Sequence, residues 1–230
     1  VAVGCGALVA NTTAGCNTSI GTGSMGDNLT GANNVAVGRC ALGSNTTGDS
    51  NTAVGRGALV LSTTAGANTA VGMFSLDATT TGGCNTAVGQ ASLGANTTGV
   101  NNTAVGREAL TKNTTGQQNT AVGVNTMQCN TTGQYNSAFG FQAMNRITDS
   151  EGNTGIGYQS LYTNTTGDAN TAVGRDALVS NTTASNNTAV GKDSLKANTT
   201  GLRNTAVGNQ SSDANTTGQC NVSMGHDSFS

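Results

Sequence analysis

The chain is 230 residues long, with no Pro or Trp, a single His, 34 Gly, 9% charged residues and a net charge of -2. No basic run or aromatic-interleaved basic face is present, which argues against nucleic-acid binding, and no apolar run reaches membrane-spanning length. Gly does not fall at every third residue, which excludes a collagen triple helix.

One word of seventeen residues organises the sequence. It is clearest at residues 170–186, NTAVGRDALVSNTTASN, and its opening Asn returns at every seventeenth residue from Asn17 to Asn221 without an insertion. A fixed period of this size signals a solenoid or array. Apolar residues that return in phase argue for packing rather than for a polar disordered segment. At 17 residues per coil, the chain is one repeat solenoid over residues 1–230, of about 13.5 coils. Both ends fall inside a copy, so the stretch reads as a window of a longer fibre, or as a piece that stacks end to end.

Taken in order from the opening Asn, counted as position zero, the word predicts short β segments and turns. Gly, Asn and Thr are poor helix formers, and no 3.6-residue apolar stripe runs through the word. Thr-Ala-Val at positions one to three alternates its faces, with Thr and Val on one side and Ala on the other. Gly follows at position four in every copy, where it permits positive φ or close backbone approach. A charged pair often comes next, as in Arg107-Glu108, Arg175-Asp176 and Lys192-Asp193, which suits an exposed corner. Ala-Leu at positions seven and eight makes a second apolar side, and Asn-Thr-Thr makes a third, closed by Gly or Ala.

The expectation is an all-β, parallel β-solenoid with one word per coil and like positions stacked about 4.8 Å apart. Asn at position zero (Asn51, Asn68, Asn119, Asn170) is expected to form a side-chain amide ladder. Gly55, Gly72, Gly123 and Gly174 mark its position-four corner. About two large apolar residues per coil give a thin core, hence a flattened coil or several chains sharing a core. The small Ala at position two would suit close approach of a neighbouring chain.

The Asn-Thr-Ala-Val-Gly segment, best kept at residues 51–55, 68–72, 170–174 and 204–208, resembles the YadA-type head repeats of trimeric autotransporter adhesins. It is also similar to repeats of bacterial and phage tail-fibre-like proteins. The resemblance implies a left-handed parallel β-roll, often trimeric, on a cell or virion surface. The period here is longer, and the Asn-Thr-Thr-Gly segment is an addition. The partners it implies are further copies of the chain, as a homotrimer or an end-to-end filament.

Several residues invite chemistry. Asn11, Asn28, Asn45, Asn96, Asn113, Asn130, Asn164, Asn181, Asn198 and Asn215 each open an Asn-x-Thr sequence, the acceptor for N-linked glycans. If they point outward they would carry a column of covalent glycans; the competing reading is corner scaffolding. Ser62, Thr79 and Ile147 interrupt the row. Thr files at positions one, twelve and thirteen resemble the ice-binding faces of insect β-solenoid antifreeze proteins, which makes ice or polysaccharide binding the alternative to a structural role.

Tyr135, Phe141, Tyr158 and Tyr162 lie in and around the most irregular copy and form a candidate contact patch; Phe141 and Tyr158 share position five. The competing reading is local repacking of a drifted repeat. Of the six Cys, Cys5 and Cys16 share a word and would pair if its corners converge. Cys16 and Cys84 would lie about 19 Å apart, beyond disulfide reach. There is no Cys-x-x-Cys and no convergent acid pair, and His226 is the only His, so neither a metal or other cofactor nor an enzyme activity is expected. The reading is a non-enzymatic extracellular fibre shaft or adhesin head.

Overall fold

The computed structural model describes residues 1–229. Its contacts group into two compact units, Val1–Gln117 and Gln118–Ser230. Each is a parallel β-solenoid with seventeen residues per coil, and no helix occurs among the described residues. The first unit carries β1 (Ala2–Val3), β2 (Thr18–Ile20), β3 (Val35–Val37), β4 (Thr52–Val54), β5 (Thr69–Val71), β6 (Thr86–Val88) and β7 (Thr103–Val105). The second carries β8 (Thr120–Val122), β9 (Ser137–Phe139), β10 (Thr154–Ile156), β11 (Thr171–Val173), β12 (Thr188–Val190), β13 (Thr205–Val207) and β14 (Val222–Met224).

Within a unit, each strand pairs with its sequence neighbour in parallel and in strict repeat register. Thr52 faces Thr69, Ala53 faces Ala70 and Val54 faces Val71 between β4 and β5. The ladder does not stop at the strands. Leu42 N–H donates to Ala58 C=O at 2.8 Å, Ser44 N–H to Val60 C=O at 3.0 Å and Thr46 N–H to Thr63 C=O at 2.8 Å. Turn residues therefore bond coil to coil as strand residues do, so most of the word's backbone is satisfied although its strands are so short.

Every strand ends at Gly for two reasons that act together. Gly55 and Gly72 have φ of 134° and 142°, a region closed to other residues. A Cβ on Gly55 would lie 2.5 Å from Gly72 C=O in the coil above. Beyond this corner the chain turns twice, with Ala41 N–H bonded to Gly38 C=O and Asn45 N–H bonded to Leu42 C=O. The second turn puts position eight at positive φ: Leu42, Leu59, Leu76 and Leu93 lie between 50° and 52°. That conformation costs a non-Gly residue about 1–2 kcal/mol. It also aims the side chain inward, and burial of a whole Leu is worth about 1.5–3 kcal/mol.

The core differs from the expected one in which face of the strand it takes. Ala at position two is fully buried (Ala36, Ala53, Ala104, Ala172), whereas Val at position three faces outward and is half-buried or exposed. Position eight alone supplies the recurring large core residue, joined by Ile147. The cause is space. A Cβ added to Gly155, at position two, would sit 2.7 Å from Met144 Cγ. The interior is so narrow that a methyl already meets the neighbouring position-eight side chain. Position-two Ala therefore packs inside its own coil and is not a surface for close approach of another chain.

Candidate functional site

Two files of buried Asn run through each unit. At position zero, Asn34 donates its backbone N–H to Asn17 Oδ1 at 2.8 Å, and its Nδ2 crosses the coil to Gly48 C=O at 2.8 Å. The residues singled out from the sequence do the same. Asn68 N–H bonds Asn51 Oδ1 at 3.0 Å, and Asn68 Nδ2 bonds Gly82 C=O. Asn119 Oδ1 accepts Asn136 N–H, and Asn170 Nδ2 reaches Ala184 C=O at 2.8 Å. Gly123 and Gly174 repeat the corner of Gly55, with φ of 137° and 139°.

The second file is position eleven. Asn45 Nδ2 bonds Asn28 Oδ1 at 2.7 Å and Gly48 C=O at 3.0 Å, and Asn45 Oδ1 accepts Gly48 N–H. Asn113 and Asn181 repeat this, stacking on Asn96 and Asn164 and bonding Gly116 and Ala184 C=O. The two files meet at the position-fourteen carbonyl, whose two lone pairs are filled by two amides.

This geometry overturns the outward glycan column. Asn28, Asn45, Asn96, Asn113, Asn130, Asn164, Asn181 and Asn198 are 0% exposed, and Nδ2, the atom a glycan would need, points into the coil. Only Asn11 and Asn215, in the outermost coils, are partly exposed, and they make the same inward bonds to Ala14 and Gly218 C=O. The row is interior scaffolding.

The neighbouring Thr residues divide. Position-twelve hydroxyls bond the backbone of the next coil, as Thr46 Oγ1 does to Thr63 C=O at 3.0 Å. Position-thirteen Thr residues face solvent. The Asn half of the supposed Thr/Asn face is thus interior. The outward strand face consists of positions one and three, and neither carries a charge in any copy.

Variable residues gather on the exposed corners. In the second unit Phe141 and Tyr158 stack at 5.6 Å between centroids with 12° between planes, and both are exposed. Tyr162 instead lies under the Arg146 guanidinium at 5.3 Å. Tyr135 is exposed on the position-sixteen corner, and among the described residues no ring contact joins it to the others. The structure therefore makes a pair of the four. Cys5 and Cys16 do not bridge, and both thiols are free and exposed.

Some corner charges in the second unit are paired. Arg175 meets Asp176 at 3.0 Å, while Lys192 and Lys196 meet Asp193 at 3.3 and 3.1 Å. Burial alone would push the Asp193 carboxyl up, but hydrogen bonds and charge from Lys196 and Lys192 outweigh it and hold it below the usual range. Asp77 has no such help. Burial pushes its carboxyl up, only partly opposed by the backbone N–H groups of Asp77 and Ala78.

One feature of the first unit was not read from the sequence. Arg39, Cys40, Arg56, Gly57, Val60 and Phe74 line a half-open hollow of about 160 Å³. The signal was present: Arg39 and Arg56 occupy position five in consecutive copies and are followed by Cys40 and Gly57, where Arg107 and Arg175 are followed by an acid. Among the described residues no group of three or more His, Cys, Asp or Glu is placed to hold a metal.

No family profile, curated protein or solved structure matches the chain, so the likeness to YadA-type head repeats stands on the Asn-Thr-Ala-Val-Gly segment alone.

Proposed function

We propose that the chain is a non-enzymatic structural element of an extracellular fibre, a shaft or adhesin head displayed on a cell or virion surface. The observation that carries this reading is the division of labour within the word. Repeated residues (Asn at zero, Gly at four, Leu at eight) face inward or hold the corner, while positions five, ten, fifteen and sixteen vary on the outside and positions six and nine vary at half-buried sites beneath them. A coil built this way keeps its backbone constant and sets different side chains at intervals of about 4.8 Å. Assembly with further copies, as a homotrimer or end to end, belongs to this reading. The half-exposed Val file at position three is the apolar surface available for it. Electron microscopy of purified full-length protein, with antibody labelling of intact source cells or particles, tests it. Filaments and labelling at the outer surface are expected; compact monomers and a purely internal signal would overturn it.

A second reading has one observation in its favour. The strand face of Thr and Val is uncharged throughout and regularly spaced, which suits a neutral repeating surface such as ice or a polysaccharide. Partition of the chain into growing ice, abolished by Thr103→Lys on that face, is the expected result if this reading holds. Unchanged partition in that variant, or none in the parent chain, removes it.

A further inference from the structure

The hollow in the first unit combines an apolar floor with unpaired cations at its mouth. Its shape comes from one missing side chain. Gly57 lies between Cys40 and Phe74 on the position-six file, and a Cβ on it would meet the Phe74 ring at 2.8 Å. The Phe74 ring can therefore lean over Gly57, with Val60 completing the floor. The Arg56 guanidinium rests on that ring, its central carbon 5.2 Å from the centroid, which leaves its N–H edge for another partner.

Arg39 occupies the same position one coil earlier, so the two cations are spaced like paired strands, about 4.8 Å apart at the backbone. Neither has a carboxylate within ion-pair distance among the described residues, in contrast to Arg175 and Lys192. The nearest acid on the adjoining position-nine file is Asp77, one coil beyond Val60, and it pairs with neither. Two exposed arginines one coil apart present forked donors that match an oxyanion. The hollow matches in size the roughly 150 Å³ cavity that accommodates a benzene ring.

We propose that this hollow binds a six-membered ring bearing a carboxylate or sulfate group, with the ring on Phe74 and Val60 and the oxyanion held by Arg39 and Arg56. The inference does not depend on the fibre reading, since it needs only the local geometry of three coils. Two sources share this chemistry: the acidic residues of a polysaccharide, and aromatic carboxylates.

The test is an NMR titration of the full chain with a galacturonate trisaccharide, a sulfated galactose disaccharide, benzoate, neutral galactose and inorganic sulfate. Ring anions should perturb Phe74 and the Arg56 side chain, and should bind at least about ten-fold more tightly than inorganic sulfate or galactose. Preference among the ring anions then assigns the source. Arg39→Gln and Arg56→Gln should each weaken binding about ten-fold, and Gly57→Ala should remove it by displacing Phe74. These variants keep the coil, because Gln90 and Ala91 already occupy the same two positions in the next coil but one. No ring anion binding at about 10 mM, or binding that survives both Arg variants, overturns the proposal. Equal affinity for inorganic sulfate would reduce the site to an adventitious ion only.

Discussion

The two Asn files look alike, and the chain treats them differently. Position zero is Asn in all thirteen copies that include it, from Asn17 to Asn221, while position eleven admits Ser62, Thr79 and Ile147. Their hydrogen bonds explain why. A position-zero amide serves two separate buried groups: its Oδ1 accepts the next coil's backbone N–H, and its Nδ2 fills the position-fourteen carbonyl. A position-eleven amide serves that same carbonyl as its second donor and bonds the amide of the coil before, and in the Asn45 and Asn215 coils its Oδ1 also accepts the position-fourteen N–H. Where position eleven changes, the carbonyl keeps one partner: Ala65 C=O still receives Asn51 Nδ2, and Ser150 C=O still receives Asn136 Nδ2. What is tolerated in a repeat is thus decided by whether a buried backbone group is left with nothing, because an orphaned group costs about 1–3 kcal/mol.

Asn51→Ala should be the most damaging change to either file. It strips the acceptor from Asn68 N–H and, because Ser62 replaces the second amide in that coil, the last side-chain donor from Ala65 C=O. Two orphaned groups imply a loss of about 2–6 kcal/mol, read by urea denaturation followed by circular dichroism. Asn45→Ala leaves Gly48 C=O its Asn34 donor but takes the acceptor from Gly48 N–H and the donor to Asn28 Oδ1, so one backbone group is orphaned rather than two. Its cost should be about 1–2 kcal/mol. Equal losses in the two variants would remove the distinction drawn between the files.

Ser62→Asn runs the comparison in reverse. Ser62 Oγ is buried without a hydrogen-bond partner. Asn there would stack on Asn45, which is buried in the coil before, and supply the second donor to Ala65 C=O. We expect a gain of about 1 kcal/mol in the same urea experiment. A loss would mean that the coil has closed around the smaller side chain.

Much of this was legible in the sequence, and the parts that were not have a common cause. The period, the parallel register and the Gly corner follow from in-phase repetition, because stacking identical coils leaves one way to pair them. The position-zero ladder follows from the same logic. Alternation placed Ala53 and Val54 on opposite faces but could not say which was inside. Bulk favoured Val, and only the width of the coil, already filled by Leu59 or Met144, decides for Ala. The Asn-Thr-Thr string likewise reads identically as a glycan acceptor and as an interior amide. What separates them is the unfilled lone pair at position fourteen, a property of the folded backbone. The Arg39–Phe74 hollow depends on a ring leaning over Gly57, which is side-chain conformation and not pattern.

The same rule about unserved buried groups extends to charge and gives the smallest predicted effect, of opposite sign in the two units. Asp77 in the first unit is held above the usual carboxylate value of 3.8 by burial. Between that value and its raised one, the folded state binds more protons than the unfolded state, so local stability falls as pH rises through the window. Asp193 in the second unit is held below 3.8 by Lys196 and Lys192 despite burial. Its contribution is complete above 3.8 and is lost as pH falls through its lowered value. Acidification should therefore first slow hydrogen exchange in the coils around Asp77, and further acidification should speed it around Asp193. Asp77→Asn should abolish the first change and leave the second. If both units weaken together from the start, partnering at these two carboxylates does not control their response to acid.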